Sequence, residues 1–240
     1  MAEDENVASE HTKTIVLGGL DGIFTALAVV SGAAGAGFDW QTIVIVGFAT
    51  VSAGALTTGI GEFLSSKAHK EFVQAEKRRG QCEFKHNRAT QIKEMIKLFE
   101  RNGMTRPDAE LVINKMAQYE GFFINLMITE ELGLQPLLDD DLTLLVDAFV
   151  MFLSYAGFGS IPLIVYCLGP IYAESMTPRE LFISSTIITG FCLFILGSAK
   201  SAFSSAPMLY SAFESLIFGI VSAAVAFGVG ASVYNLVQQS

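Results

Sequence analysis

The stretch Ile15-Val-Leu-Gly-Gly-Leu-Asp-Gly-Ile-Phe-Thr-Ala-Leu-Ala-Val-Val-Ser-Gly-Ala-Ala-Gly-Ala-Gly37 contains a single charged residue, Asp21, and is long enough to cross a bilayer. A helix needs about 20 apolar residues to span the hydrocarbon core. A carboxylate at the centre of such a helix costs about 2.5–3.5 kcal/mol, so it usually has a partner, a proton or an ion. Asp21 is therefore a candidate functional residue. The alternative is a carboxylate close enough to the membrane interface to be hydrated.

The rest of the chain has the composition of a membrane protein. Hydrophobic residues make up 51% of the chain and charged residues only 16%, whereas a soluble domain has about 25% charged residues. Four more apolar stretches follow the first: Thr42–Ser66, Leu142–Leu168, Leu181–Ala199 and Ser211–Val237. We therefore predict an all-α membrane protein with five transmembrane helices. Its expected segments are a tail (1–14), spans one and two (15–64), an insert (65–141) and spans three to five (142–240).

Basic residues predict the orientation. Of the 15 Lys and Arg residues, 12 lie between Lys67 and Lys115, in the connection between spans two and three. Cytosolic loops carry an excess of Lys and Arg near the ends of spans. The insert and the N-terminus are therefore expected in the cytosol, and the C-terminus on the opposite side.

In this orientation a second acid, Glu62 in span two, lies near the cytosolic end at a depth similar to that of Asp21. Two carboxylates at one depth on adjacent helices can bind a divalent cation or share a proton. Asp147, Lys200 and Glu214 lie near the same membrane face. Charges at span ends are often tolerated by snorkelling, which is the simpler interpretation of Lys200 and, in part, of Asp147.

Small residues and prolines predict how the spans pack. Gly18-x-x-x-Gly22 and Gly228-x-x-x-Ser232 are patterns that allow helices to approach closely. They favour a compact bundle and a homodimer. Pro162 and Pro170 are expected to kink or end the third span.

The insert is expected to be helical throughout. Span two continues beyond the membrane as a stalk that we expect to weaken at Gly80, and a second helix stops at Asn102-Gly103. A third begins near Thr105 and a fourth covers Phe122–Leu132. The insert has 13 acidic and 12 basic residues, so it lacks the basic excess of a nucleic-acid-binding surface.

Several side chains of the insert are candidate metal ligands. Carboxylates combined with a thioether suit a borderline transition metal better than calcium or magnesium. The simpler interpretation is that the glutamates are solvated and that the methionine packs in a core. The candidates are Glu83, Glu94, Met127 and Glu131, with His86 and Glu130 as additional ones.

The chain resembles the vacuolar iron transporter family over nearly its whole length. The similarity lies in Leu17-Gly-Gly-Leu-Asp-Gly-Ile, in Gly54-Ala-Leu-Thr-Thr-Gly-Ile-Gly-Glu-Phe-Leu-Ser-Ser-Lys, in Gly159-Ser-Ile-Pro-Leu-Ile and in Leu196-Gly-Ser-Ala-Lys. The resemblance implies a homodimer that moves ferrous iron, and sometimes manganese, from the cytosol into an acidic organelle in exchange for protons. No tightly bound cofactor is expected.

The resemblance also implies roles for residues. Asp21 and Glu62 correspond to carboxylates of the transport path, and Glu83, Glu94, Met127 and Glu131 to ligands of the cytosolic domain; Glu214 is an additional candidate. The chain departs from the family pattern at four positions, where carboxylates or a thioether are replaced: Thr50, Thr58, Gly80 and Gln91.

Two function classes follow from these observations. The first is a divalent-metal/proton antiporter; the second is a non-transporting relative that serves as a scaffold or subunit of a membrane assembly. An enzyme is not expected, because no Ser–His or HExxH arrangement lies within a span.

Overall fold

The computed structural model describes residues 2–134, 141–172, 177–204 and 206–239, and every regular element in these ranges is helical. Five of the helices are long and apolar enough to cross a membrane, which confirms the all-α class and the five spans. In chain order the helices are α1 (Ala2–Gly35), α2 (Trp40–Arg101), α3 (Arg106–Met116), α4 (Glu120–Leu132), α5 (Asp141–Tyr172), α6 (Pro178–Lys200) and α7 (Met208–Gln238), with a 3₁₀ turn at Ser201–Phe203.

The chain forms two compact units. Unit 1 contains Met1–Phe63 and Leu145–Ser240, and unit 2 contains Leu64–Leu144. All five apolar helices contribute to unit 1, whereas unit 2 consists of the polar remainder of α2, the short helices α3 and α4, and the beginning of α5. The insert was expected to cover residues 65–141, and residues 135–140 of this range lie outside the described residues.

Helix α1 is the centre of unit 1. One of its faces joins a buried cluster with α2, α5 and α6 that includes Val30, Val51 and Tyr166. Another face packs Ile23 and Leu27 against α6. Because α1 is enclosed on both faces, its position is determined by packing rather than by lipid.

The close approach of α1 to α5 depends on glycine. A Cβ added at Gly22 would lie 3.0 Å from the Cα and carbonyl carbon of Tyr155, and closer still to its oxygen. Gly18 is in similar contact with Met151. The Gly18-x-x-x-Gly22 pattern is therefore a true packing motif, whereas a Cβ at Gly228 would meet nothing within 4 Å. On α7 it is Gly230 instead that contacts α1, at Gly32.

The prolines of α5 neither interrupt nor end it before Tyr172, although Pro162 lacks the N–H that a helix interior uses. The carbonyl of Pro162 accepts a hydrogen bond from the buried Ser185 hydroxyl of α6 (3.0 Å). This bond ties α5 to α6 at the proline.

The break in α2 does not lie at Gly80, as the sequence predicted, but at Asn87 (φ −134°, ψ 44°). Glycine weakens a helix by only about 1 kcal/mol, and tertiary contacts override this preference. Phe84, before the break, and Met95, after it, belong to the same buried cluster as Phe123 of α4. The kink at Asn87 allows both parts of α2 to contribute to this core. Gly103 (φ +100°) and Gly133 (φ +64°) follow α2 and α4 in the left-handed conformation, as expected for helix ends.

Candidate functional site

Asp21 lies in the interior of α1, and its carboxylate faces α2. The Thr58 hydroxyl donates to Asp21 Oδ2 over 3.5 Å, which is a long hydrogen bond. Asp21 remains exposed at the surface of the chain, while its neighbour Gly22 is buried against α5. The close packing of Gly22 therefore fixes α1 and leaves the adjacent carboxylate accessible on the α2 side.

The polar face of α2 continues on both sides of Thr58. Glu62 is four residues further along, one helical turn away on the same face, and it is half-buried. Thr50, two turns before Thr58, donates its hydroxyl to the Val46 carbonyl (2.8 Å). Asp21, Thr58 and Glu62 thus provide a short column of oxygen atoms, with Asp21 and Glu62 supplying the carboxylates.

Three of the candidate ligands of unit 2 line a small cavity of about 160 Å³. Glu83 and Met127 line it, together with Glu131. Partial burial is the main cause that raises the pKa of Glu131, and the nearby charges of Glu94 and Glu83 raise it further. Glu83 and Glu94 are thus each close enough to Glu131 to disfavour its charged form. This is the property of a site that attracts a cation.

Met127 has two roles. It lines the cavity, but it is 4% exposed and belongs to the core cluster of Phe84, Met95 and Phe123. The simpler interpretation of Met127 as a core residue is therefore correct, and its thioether also borders the carboxylates.

The guanidinium of Arg79 already contacts two carboxylates of this cluster. Arg79 Nε donates to Glu83 Oε1 (3.0 Å), and Arg79 Nη1 lies 3.9 Å from Glu76. The other oxygen of Glu83, Oε2, accepts a 3.4 Å hydrogen bond from the Gln91 amide. Both oxygens of Glu83 are engaged, so a metal ion must displace Arg79 to use this carboxylate fully. Consistent with this, no group of three or more His, Cys, Asp or Glu side chains in the described part of the chain is arranged to hold a metal as it stands.

Gly80 and Gln91 are the two insert positions at which the resemblance to the family implied a missing carboxylate, and both lie close to Glu83 or its cavity. Gly80 lines the cavity, and an added Cβ would contact only Ile124, at 3.6 Å. Gln91 is the amide that contacts Glu83. There is thus room for a β-carbon at Gly80, and Gln91 uses its amide to donate to Glu83.

The structure does not bring every candidate into these groups. His86 Nδ1 lies 2.8 Å from the Cys82 carbonyl of its own helix. Glu130 is exposed and does not line the cavity. Glu214 forms an ion pair with Lys200 (2.9 Å), which links α7 to α6. Lys200 is thus held by a specific partner as well as by its position at a span end.

Sequence reasoning missed three pairings. Arg79 with Glu83 has the i,i+4 spacing of a helical ion pair and could have been recognised. Lys200 with Glu214 joins two helices, and His11 Nδ1 with Asp147 (2.8 Å) joins residues far apart in the chain. Neither of the last two pairings leaves a local sequence signal.

Comparison with known proteins gives the family. A profile described as the VIT family matches residues 12–231. This chain belongs to the VIT family. It is 33% identical over 94% of its length to the vacuolar iron transporter of Toxoplasma gondii, covering 75% of that protein. It is 32% identical to the vacuolar iron transporter of Plasmodium falciparum, covering 99% of this chain and 87% of that protein. Vacuolar iron transporter 1 of Arabidopsis thaliana is 30% identical over 94% of this chain, with 87% of that protein covered. The family predicted from the sequence is thus confirmed.

Proposed function

We propose that this VIT-family protein transports a divalent metal ion, iron(II) with manganese(II) as an alternative cargo, out of the cytosol into a vacuole or related organelle in exchange for protons. The proposal rests on one observation above all: the Asp21 carboxylate of the central helix faces the Thr58 hydroxyl of α2 and remains accessible. The names of the related proteins, all called vacuolar iron transporters, support iron as the cargo.

The chemistry of this column suits a hard or borderline divalent ion. Carboxylate, hydroxyl and water oxygens are preferred by ions such as Mn²⁺, and a carboxylate that releases the metal can take up a proton. Asp21 and Glu62 can each hold either a metal or a proton. This alternation is the minimum requirement for exchange of one for the other.

We further propose that unit 2 collects metal on the cytosolic side. The charges of Glu83 and Glu94 both disfavour the ionised form of Glu131, and Met127 lines the same cavity as Glu83 and Glu131 and would supply a softer donor. Arg79 competes for Glu83, so binding is expected to be weak and rapidly reversible. A donor domain that must release its ion to a transport path benefits from such weak binding.

The orientation and the homodimer are part of the same proposal. Unit 2 contains 12 of the 15 Lys and Arg residues of the chain, which favours its placement in the cytosol. The carboxylates of Asp21 and Glu62 and the Thr58 hydroxyl fall short of the six oxygen ligands of an octahedral site such as Mn²⁺ prefers. A second copy of the chain, with water, would complete the coordination around Asp21.

Transport into sealed proteoliposomes tests the proposal. Purified wild type should carry Fe(II) or Mn(II) across the bilayer and move protons in the opposite direction, with Zn(II) and Ca(II) as competing ions. Asp21→Asn should abolish transport while leaving the protein folded, because Asn keeps the shape and an acceptor for Thr58.

Thr58 and its neighbour provide a matched pair of variants. Thr58→Val removes the hydroxyl that faces Asp21, whereas Thr57→Val removes one that bonds only to the Ala53 carbonyl (2.9 Å). We expect Thr58→Val to reduce transport and Thr57→Val to leave it unchanged. Equal transport by Asp21→Asn and wild type would refute Asp21 as the carrier. Absence of transport by a well-folded wild type would favour the scaffold function.

A further inference from the structure

A second cavity lies at the end of unit 1 away from Asp21. It has a volume of about 750 Å³, within the range of small-molecule sites. The last turn of α1 and the first turns of α2 and α6 form its rim, and α5 and α7 supply parts of its wall. None of the candidate transport residues lines it.

The wall of this cavity is aromatic. Trp40 and Phe182 line it and pack against the core cluster of unit 1, and the ring of Phe182 lies 6.0 Å from that of Phe227. Tyr and Trp are enriched at the membrane–water interface, where lipid headgroups lie. Because Trp40 begins one apolar helix and Gly35 ends another, the cavity lies at this depth.

The cavity also contains an unsatisfied polar group. Tyr166 lines it and is only 1% exposed, and its hydroxyl has no hydrogen-bond partner among the described residues. Buried hydroxyls normally have a partner, so an orphaned one indicates a missing polar group. An oxygen atom of a bound molecule would provide it.

Two opposite charges complete the lining. Asp39 and Arg179 both border the cavity and are exposed, and they form no ion pair with each other in the described chain. Thr42 donates to Asp39 (2.6 Å), and this bond lowers the pKa of Asp39 and keeps it ionised. The cavity therefore offers separate sites for a cation and an anion.

We propose that this cavity binds a zwitterionic phospholipid with a choline-type headgroup. Arg179 would contact the phosphate, for which a guanidinium is well suited, and the quaternary ammonium would lie near Asp39 and the face of Trp40. The Tyr166 hydroxyl donates to a lipid oxygen, and the apolar walls cover the upper part of the acyl chains. Such a lipid would fasten α1, α2 and α6 together at this membrane face.

Trp40 makes the proposal directly measurable, because it is the single tryptophan of the chain. Dihexanoyl phosphatidylcholine, titrated as monomers into the full-length protein in a maltoside detergent, should change Trp40 emission in a saturable manner. Dihexanoyl phosphatidylglycerol, which lacks the ammonium group, should bind at least ten-fold more weakly. Free phosphocholine, which lacks the chains, should also bind at least ten-fold more weakly.

Variants identify the groups that bind. Arg179→Gln should weaken dihexanoyl phosphatidylcholine about ten-fold and Tyr166→Phe a few-fold, with unchanged elution volume on gel filtration. Arg101→Gln removes an exposed arginine of unit 2 and should have no effect.

Three results would overturn the proposal. The first is an emission change without saturation, or the same change with octyl glucoside, which would indicate a non-specific apolar surface. The second is equal affinity for free phosphocholine, which would indicate a headgroup-sized solute rather than a lipid. The third is equal affinity of Arg179→Gln and wild type.

Discussion

Gly22→Ala tests the close contact that fixes α1 and the adjacent Asp21. The new Cβ would lie 3.0 Å from the carbonyl carbon of Tyr155, and the obstructing atoms belong to the backbone of α5. They cannot move aside as a side chain would, so the two helices must separate. Overpacking of this kind costs about 1–3 kcal/mol.

The higher helix propensity of alanine partly offsets this loss of stability. Alanine is favoured over glycine in a helix interior by at most about 1 kcal/mol. Subtracting about 1 kcal/mol from this cost leaves a net loss of about 0–2 kcal/mol in the free energy of unfolding of Gly22→Ala. For a chain of this size, 1 kcal/mol corresponds to about 2–4 °C, so we expect Tm to fall by up to about 8 °C.

Gly61→Ala is the matched control. Gly61 lies inside α2, and an added Cβ would meet nothing within 4 Å. This variant gains the helical preference without the clash, so its Tm should equal or slightly exceed that of wild type. Thermal unfolding of both proteins in detergent, followed by Trp40 fluorescence, gives the comparison. If Gly22→Ala were as stable as Gly61→Ala, the inferred contact between α1 and α5 would be wrong.

Three other predictions follow from ionic contacts. Arg79→Gln should strengthen Mn(II) binding to the full-length protein a few-fold in calorimetry, because Glu83 then loses its competing cation. Glu131→Gln should raise stability at neutral pH. Burial and neighbouring carboxylates raise the folded-state pKa of Glu131 above its ordinary value of 4.5. The protonated side chain therefore stabilises the folded state fully below pH 4.5, and this contribution is lost as pH rises through the folded-state pKa. The advantage of the Gln variant should therefore disappear on acidification. Glu214→Gln should lower stability by about 1–3 kcal/mol because it leaves Lys200 without its carboxylate, and Lys200→Met combined with Glu214→Gln should recover part of this loss in a double-mutant cycle.

The Arg79 and Glu131 predictions each have a control in the same chain. Arg106→Gln breaks an exposed i,i+4 pair with Glu110 outside the 160 Å³ cavity and should not change metal affinity. Glu130→Gln changes the residue beside Glu131 and should leave the pH dependence of stability unaltered. Weaker Mn(II) binding by Arg79→Gln would show that Arg79 supports the cluster rather than competing with metal.

The sequence was sufficient for features that depend on local patterns. Long apolar stretches predicted the five helices of unit 1, since span length follows from bilayer thickness. Gly103 and Gly133 marked helix ends because left-handed backbone favours glycine there. Asp21 became a candidate from a single charge in an apolar stretch, and its role in transport stays a prediction.

Features that depend on tertiary packing were not predictable in this way. The kink at Asn87 follows from a core that joins Phe84 and Met95, which no local preference reveals. The contact of Thr58 with Asp21 required knowing how α1 and α2 rotate relative to each other. The partner of Lys200 required knowing that α6 and α7 are adjacent.

The two candidate sites share a property that bears on how a transporter of this type would work. At Asp21 the facing group is a neutral hydroxyl, and at Glu83 the strongest neighbour is the guanidinium of Arg79. Arg79 lowers the net negative charge that a metal ion would meet at Glu83, whereas the Thr58 hydroxyl adds only a neutral ligand beside Asp21. Ligand charge is a main determinant of affinity for hard cations. A site that binds too tightly retains its ion, whereas transport requires release. The neutral side chains of Thr58 beside Asp21 and of Gln91 beside Glu83 therefore favour weak binding, which suits the release that transport would require.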